Sequence, residues 1–583
     1  MSLRGRAATG TTAGYPTGDP TDPTGTANPT GDPTDPTGTA NPTGDPTGTA
    51  NAVAPGPANA ATGGPAAPLP LPAGYRLRFD PRCRRPRPEV LIGGSPLRVL
   101  RLSSPGAALI DSWAAGRPVG DDRAERALAG RLVDSGVAHP IPPAPTRRTH
   151  PSCAVVIPAR DDQAGLRDTL QALSLRAPGI PIHVVDDGSS TPLTVADPGV
   201  ELWRRPEPGG PAAARNVGWR AAVADGAEIV VFVDAGCVPG VGWLEPLLAH
   251  FSDPAVGAAA PRVACRRDPG TPARLACYEL RHSPLDMGTN PASVRPGSAV
   301  AYVPTALLAL RRTALEECGG FRESMRFGED VDLVWRLHRA GWRVRYEPAA
   351  TATHPSRRTY RAWVLQRFRY GTSAGPLARR HGRAVAPLAA QPWSIGAWAL
   401  VAAGHPLLGA AVTAATAEAL ARRAKGDPVV AAELRRLAVT GTIGVGSATA
   451  RALRRAWLPV AIPAGAATWR WCGRRTRLAL LVTAVAVASG RPPGASADDR
   501  LVDAETGGCQ PGGPEDRLLG LADDLAYQAG VWRGVLAERS LAALRPRFSD
   551  GPPHRRAPRP ARARDALQRA GAFRRTRSVA RPV

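Results

Sequence analysis

The 583-residue chain predicts an α/β protein whose central domain is built on a mostly parallel sheet. Short apolar runs at 153–158, 182–185 and 229–233 have the length of buried strands, and helical patterns lie between them. Strands that alternate with helices pair in parallel through right-handed crossovers. Asp186 and Asp234 follow the second and third runs, at the strand ends where open sheets of this class bind ligands.

A Thr-Gly-Asp-Pro-Thr unit recurs in the N-terminal segment, at 17–21 and again at 30–34. The segment has almost no large apolar side chain, so burial cannot offset the entropy lost on ordering. We therefore expect residues 1–72 to be disordered.

Residues 73–145 predict a small α+β unit, with strands near 89–92 and 97–100, a helix near 107–113 and another from Asp121 to a stop at Gly136. The unit resembles the winged-helix domains that bind ribosomally made precursor peptides. That resemblance implies peptide binding. The alternative is a unit that only packs on its neighbour.

Three acidic clusters follow one another in the segment 150–375, at 186–187, at 234 and at 329–330. Sugar transfer from a nucleotide diphosphate needs a nucleoside pocket, a counter-charge for the departing diphosphate and a base for the acceptor hydroxyl. Asp187 ends its strand before a glycine turn and can accept hydrogen bonds from a nucleoside, with Asp186 supporting it. Pro158 and Arg160, at the tip of the first strand, frame the same nucleoside.

The other two clusters have a chemical and a structural interpretation each. Asp234 can bind Mg²⁺ or Mn²⁺, or it can simply cap the next helix. Glu329 and Asp330 begin a helical pattern. We assign Asp330 as the general base and Glu329 as the group that grips acceptor hydroxyls, while the alternative is a helix start with favourable acids in its first turn.

Five ordered motifs between 153 and 370 resemble glycosyltransferase family 2. The resemblance implies a GT-A fold with a Rossmann-like sheet, inversion at the anomeric carbon, a UDP-sugar donor and a nucleotide-sugar contact from Arg215. The motifs are Val156-Ile157-Pro158, Asp186-Asp187-Gly188-Ser189, Ala214-Arg215-Asn216, Phe232-Val233-Asp234 and Gly328-Glu329-Asp330-Val331-Asp332-Leu333.

A closer resemblance, over most of the chain beyond the repeats, is to the glycosyltransferases of the mycofactocin system. It rests on the order of the segments and on Leu521-Ala522-Asp523-Asp524-Leu525-Ala526-Tyr527-Gln528-Ala529-Gly530-Val531-Trp532. The resemblance implies that the acceptor is the peptide-derived redox cofactor premycofactocin and that the product carries a chain of glucose units.

The metal is left open, because the usual Asp-x-Asp motif reads Asp234-Ala235-Gly236 and lacks its second carboxylate. His354 stands where some GT-A enzymes supply a further ligand, although a lone histidine is more often structural. Arg357 or Arg358, which lie nearby, can help to hold the diphosphate.

The segment 366–370 is similar to the Gln-x-x-Arg-Trp motif of processive synthases. It contains Gln366 and Arg369, with Tyr370 in place of tryptophan. The motif suggests repeated sugar addition, and an amphipathic exposed helix is the alternative.

Residues 384–490 predict membrane-associated helices. No charged residue occurs between 384 and 417, a run long enough to cross a bilayer, but Gly404-His405-Pro406 makes a helical hairpin nearly as good an interpretation. Shorter apolar runs at 457–469 and 478–488 are flanked by arginines, as interfacial helices are. Residues 515–548 predict a helix with an apolar stripe formed by Leu518, Leu521, Leu525 and Tyr527 to Val531.

The formal net charge of +25 comes almost wholly from arginine, which crowds around these apolar runs and in the basic tail 549–583, predicted to be disordered. No zinc-finger spacing, zipper heptad or RNA-binding signature is present, so we predict a membrane-surface partner and no nucleic acid. We expect the protein on the cytoplasmic side of the cell membrane.

The leading hypothesis is an inverting, membrane-associated glycosyltransferase that oligoglucosylates a peptide-derived cofactor. An enzymatic alternative acts on a cell-wall polysaccharide or lipid acceptor. A third hypothesis, suggested by the carboxylate missing at Gly236, is an inactive scaffold of the same fold that binds a precursor peptide.

Overall fold

The computed structural model describes residues 69–143, 151–469, 473–474, 476–477 and 513–548. The predicted disorder of residues 1–68 and of the basic tail falls outside these residues, as does the apolar run at 478–488. At 69–72, which the prediction of disorder included, Leu71 is instead buried and its backbone N–H donates to the carbonyl oxygen of Arg126 at 3.0 Å.

The N-terminal unit has the elements that its sequence predicts. Asp122 accepts a hydrogen bond from the backbone N–H of Glu125 at the start of the second helix, and Gly136 ends that helix with a φ of 73°. A core that includes Tyr75, Trp113 and Leu132 holds the unit together. Its elements are β1 (Arg76–Phe79), β2 (Arg84–Arg87), β3 (Val90–Gly93), β4 (Arg98–Arg101), α1 (Ser104–Ala114), α2 (Arg123–Ser135) and β5 (Ala138–Ile141).

The central domain is a nine-stranded mixed sheet with helices on both faces. The core strands are apolar on both faces because both faces are covered. Its elements are β6 (Cys153–Ala159), α3 (Gln163–Arg176), β7 (Ile182–Asp186), β8 (Val200–Arg204), α4 (Pro211–Ala224), β9 (Ile229–Val233), β10 (Val238–Pro239), α5 (Leu244–Ala249), β11 (Val256–Arg266), α6 (Ala273–His282), β12 (Ala292–Ser293), β13 (Leu307–Arg311), α7 (Arg312–Cys318), α8 (Glu329–Ala340) and β14 (Arg343–Pro355).

The order of the main path is β10-β14-β11-β13-β9-β6-β7-β8, with β12 paired to β14. The predicted parallel pairing holds for β9, β6, β7 and β8, whereas β13 lies antiparallel to both β9 and β11. No strand was predicted for 307–311, and apolar periodicity does not give the direction of a strand.

The C-terminal part is helical, and no helix in the part of the chain that the structure describes is long and apolar enough to cross a membrane. The predicted 384–417 run is divided at Gly404, as in the helical-hairpin interpretation, because glycine and Pro406 interrupt it. The elements are α9 (Tyr360–Thr372), α10 (Ala374–His381), β15 (Ala389–Ala390), α11 (Pro392–Ala402), α12 (Pro406–Ala421), α13 (Pro428–Ala452), α14 (Leu458–Trp469), α15 (Pro514–Ala537) and β16 (Arg547–Phe548), with a π-helical turn at Leu453–Trp457.

The first half of helix α15 turns its polar face inward, opposite to the predicted stripe, whereas Val531 of the same stripe is buried. Leu518, Leu521 and Leu525 are exposed, while Asp523 and Asp524 are buried. The prediction was wrong because buried arginines neutralise these acids: Asp523 pairs with an arginine of α9, and Asp524 pairs with one of the π-helical turn. A hydrophobicity pattern cannot anticipate such partners.

Glycines bring α15 unusually close to α9 and α10. A Cβ atom at Gly530 would lie 2.0 Å from the carbonyl oxygen of Phe368, and one at Gly371 would lie 2.1 Å from the carbonyl oxygen of Tyr527. Each is closer than a real Cβ contact, so only glycine fits at these positions.

The N-terminal unit packs on both the sheet and the helical part. Arg343 of β14 donates to Asp134 of α2 at 2.7 Å and to Asp253 at 2.9 Å. Arg87 of β2 donates to Asp427 at 2.9 Å, and apolar residues of β3 pack against α13. In the described residues, β4 has β3 on one side and no strand on the other.

Candidate active site

A cavity of about 1470 Å³ opens at the carboxyl ends of β6, β7 and β9. Parallel strands bring these ends to one edge of the sheet, where α/β proteins bind ligands. The cavity brings together most of the residues that the sequence singled out: Pro158, Arg160, Asp187, Arg215, Asp234, Glu329, Asp330, His354, Arg357, Arg369 and Tyr370.

At one end of the cavity, Asp187 is held by backbone groups that precede α4. Its carboxylate accepts hydrogen bonds from the N–H of Gly209 at 3.0 Å and of Gly210 at 2.7 Å, and it also pairs with Arg205. Asp187 therefore has a fixed orientation at the place where the sequence predicts a nucleoside. Its role stays a prediction.

Asp186 does not line the cavity. It is buried at the end of β7 and accepts hydrogen bonds from the N–H of Ser189 at 2.8 Å, the N–H of Leu193 at 3.2 Å and Arg204 at 2.9 Å. Burial opposes its charge, but the hydrogen bonds from Ser189 outweigh burial and lower the pKa of Asp186. The residue thus shapes the turn that presents Asp187.

Arg215 joins the second and third acidic clusters. Its guanidinium donates to Asp234 Oδ1 at 2.8 Å and to Glu329 Oε1 at 2.8 Å. Burial works against the charge of Arg215, but the two carboxylates raise its pKa. Glu329 is also buried, so its predicted grip on acceptor hydroxyls competes with this ion pair.

Asp330 lies in the first turn of α8 and has no cationic partner within salt-bridge distance in the described residues. Burial, the negative charge of Glu329 and, more weakly, that of Asp234 raise the pKa of Asp330 to about 7. A carboxyl group with such a pKa accepts protons at neutral pH far better than an ordinary aspartate does. This is the electrostatic condition that a general base requires.

His354 is held in the form that binds metals. Its Nδ1 lies 3.1 Å from the carbonyl oxygen of Pro355, which can only accept, so Nδ1 carries the proton and Nε2 the lone pair. Burial and Arg357 lower the pKa of His354, which keeps the imidazole neutral. Gly236 adopts a φ of 85° beside Pro355, so the position of the missing carboxylate adjoins His354.

Asp234 and His354, which both line the cavity, are the candidate ligands of a divalent ion. Asp234 and His354 offer two protein ligands, and Mg²⁺ and related ions normally complete their shells with phosphate oxygens and water. In the described part of the chain, the one group of three residues with ligand geometry is His183, Glu201 and Asp225, and none of these lines the cavity.

Helix α9 contributes its motif residues to two neighbouring spaces. Arg369 and Tyr370 line the main cavity, whereas Gln366 lines a small adjoining pocket and donates to the hydroxyl of Tyr370 at 2.9 Å. Arg357 also lines both spaces, and its backbone N–H donates to Glu279 at 2.6 Å.

Sequence reasoning assigned no role to several residues on the far side of the cavity. Tyr302, Arg455, Asp523 and Tyr527 line it together with Asp330. The sequence feature that could have pointed to these residues is the pair of adjacent acids at 523–524 within an apolar helix, because buried charges need partners.

The family model that matches the chain is described as "Glycosyltransferase like family 2" and covers residues 150–373. Proteins from two strains of Mycobacterium tuberculosis, CDC 1551 / Oshkosh and ATCC 25618 / H37Rv, each named "Pre-mycofactocin glycosyltransferase", are 38% identical over 488 residues. The alignment covers 82% of this chain and 98% of each of those proteins.

A solved structure of the mannosyltransferase PcManGT from Pyrobaculum calidifontis, in complex with GDP-Man and Mn²⁺, is 20% identical and covers 59% of this chain and 89% of that one. Its TM-score is 0.31, and we draw no conclusion from a superposition at that level.

Proposed function

The chain belongs to the pre-mycofactocin glycosyltransferase family, and from this premise we propose that it transfers glucose from a UDP-sugar to premycofactocin, with inversion, to build an oligoglucose chain. That it is a glycosyltransferase follows from the family. The acceptor comes from the name of the relatives, and the sugar from the resemblance described above. The observation that carries the proposal is that Asp187, Asp234 and Asp330 line one cavity, and the raised pKa of Asp330, caused by burial and the charge of Glu329, supports it.

In this proposal, Asp187 accepts hydrogen bonds from the nucleoside while Pro158 and Arg160 border it. The acceptor hydroxyl approaches Asp330, which takes its proton as the oxygen attacks the anomeric carbon and the diphosphate leaves. Arg357 and Arg369, which line the same cavity, stabilise the departing charge. A divalent ion held by Asp234 and His354 would add further counter-charge.

The first test is the substitution of the proposed base. Asp330→Asn removes the proton acceptor but keeps the shape, so we expect transfer to fall by about 10²–10⁴-fold while UDP affinity, measured by calorimetry, stays nearly unchanged. The matched control is Asp197→Asn, because Asp197 lies in a surface turn and does not line the cavity. Wild-type turnover in Asp330→Asn would reject the assignment of the base, and an inactive wild type would favour the scaffold hypothesis.

We further propose that the helical part rests on the membrane surface at the cytoplasmic side. The supporting observation is exposed apolar side chains, such as Leu407 of α12, which is 84% exposed, and Ile462 of α14, which is 65% exposed. Leu407→Glu with Ile462→Glu should reduce co-sedimentation with phosphatidylglycerol vesicles. Leu175→Glu, on the equally exposed surface of α3, is the control. The proposal would be contradicted if the wild type, the Leu407→Glu/Ile462→Glu variant and the Leu175→Glu control all sedimented equally with the vesicles.

We also propose that the N-terminal unit, which resembles a winged-helix domain, binds the precursor peptide. Its β4 strand is a sheet edge on which Arg98, Val99 and Arg101 are exposed, and extended peptides add to such edges. Val99→Pro, which removes a backbone donor from β4, should weaken binding of the precursor peptide to the full chain. Unchanged binding would leave packing as the function of the unit.

A further inference from the structure

The cavity is larger than a nucleotide-sugar site needs, because single-ligand pockets are about 300–1,000 Å³ and this one is about 1470 Å³. Its far side is assembled from distant segments: the loop before β13 supplies Tyr302, α9 supplies Tyr370, the π-helical turn supplies Arg455 and α15 supplies Tyr527. Two of these four lie beyond the 150–373 segment that the family model covers.

These aromatic residues line the same cavity as the proposed base. The charge of Asp330 acts on both Tyr302 and Tyr370, and the pKa of Tyr302 is raised, first by burial and then by Asp330, Tyr527 and Tyr370. The hydroxyl of Tyr302 therefore stays protonated at neutral pH. A group that approaches Asp330 from this side meets phenol rings.

The ring of Tyr527 is held firmly. The guanidinium carbon of Arg455 lies 4.1 Å from its ring centroid, and Arg455 Nη1 lies 3.6 Å from Asp524 Oδ1. Asp524 in turn pairs with the buried Arg454 at 2.7 Å. With its ring fixed before binding, Tyr527 loses little side-chain entropy when it binds a ligand.

We infer that Tyr302 and Tyr527 form a wall on which a ring of the acceptor stacks, and that Tyr527, positioned by Arg455, determines acceptor specificity. The inference rests on the proposed function, because it assumes that Asp330 faces the acceptor. Phenol rings stack on flat or apolar ring faces, which an acceptor offers either as a sugar ring or as an aromatic ring.

Tyr527→Ala should raise the KM for the acceptor about tenfold, equivalent to about 1.4 kcal/mol, without changing kcat or the KM for UDP-glucose. Tyr527→Phe keeps the ring and should behave as wild type. Arg455→Met should raise the acceptor KM less, because it frees the ring without removing it. The controls are Tyr360→Ala and Arg533→Met, since both side chains are exposed and neither lines the cavity.

Competition by phenyl β-glucoside and methyl β-glucoside distinguishes the two kinds of ring. If phenyl β-glucoside inhibits more strongly than methyl β-glucoside and Tyr527→Ala abolishes that inhibition, the result supports an aromatic acceptor ring. If the two compounds inhibit equally and Tyr527→Ala abolishes the inhibition, the result supports a sugar ring. An unchanged acceptor KM in a folded Tyr527→Ala protein overturns the inference that the acceptor stacks on Tyr302 and Tyr527 but leaves the proposed function standing. A wild type that transfers no glucose to premycofactocin overturns the proposed function itself.

Discussion

The two ends of the cavity are built in different ways. The nucleoside side of the donor end comes from one continuous stretch, 153–234, in which buried aliphatic strands place Asp187 and Asp234 at their tips. The acceptor end joins α8, α9, the π-helical turn and α15 through buried ion pairs and glycine contacts. A local pattern encodes the first end, whereas only the folded chain assembles the second. A substitution that disrupts the acceptor end should therefore leave nucleotide binding at the donor end intact.

The largest expected effect is at the ion pair that fastens α15. Arg367 donates to Asp523 at 2.9 Å and lies 3.4 Å from Glu279, and all three side chains are buried. Arg367→Met removes the nearest cation from two buried carboxylates, so unfolding free energy should fall by about 3–5 kcal/mol. Denaturant unfolding measures this. Calorimetry with UDP should show that the donor end still binds.

Arg379→Met is the matched control at the same helix interface. Arg379 pairs with Glu538 of the segment after α15, but its side chain is 74% exposed. Exposed pairs contribute about 0–1 kcal/mol. If both variants lose the same stability, or if Arg367→Met abolishes UDP binding, the two ends are not separable.

The second effect is at the glycine contact. Gly530→Ala places a methyl group against the carbonyl oxygen of Phe368, so α15 must shift, at a cost of about 1–3 kcal/mol. Gly441→Ala is the control, because Gly441 lies in the interior of α13 with no atom within 4 Å of a Cβ. Alanine should stabilise that helix by up to about 1 kcal/mol. Thermal unfolding of both variants, together with the acceptor KM, measures the difference; equal behaviour would contradict the close packing.

The same contrast explains what the sequence could predict. Strands β6, β7 and β9, helix α8 and the cavity position of Asp187, Asp234 and Asp330 follow from apolar runs that end in acids. The inward polar face of α15 does not, because its acids are buried only once arginines from two other segments reach them. No strand was predicted for β13, and its antiparallel direction likewise depends on its partners in the sheet.

The smallest expected effect concerns the pKa of Asp330, the proposed base at the junction of the two ends. Because the pKa of Asp330 is raised to about 7, kcat/KM should fall as pH drops through that value and the base becomes protonated. Glu329→Gln removes a neighbouring negative charge, the second cause of the raised pKa, and should move this acidic limb to lower pH. Burial remains the larger cause, so the limb should stay above the range of an exposed aspartate. A pH profile of kcat/KM in both proteins checks this. An unmoved limb would mean that Asp330 is not the group whose titration limits transfer.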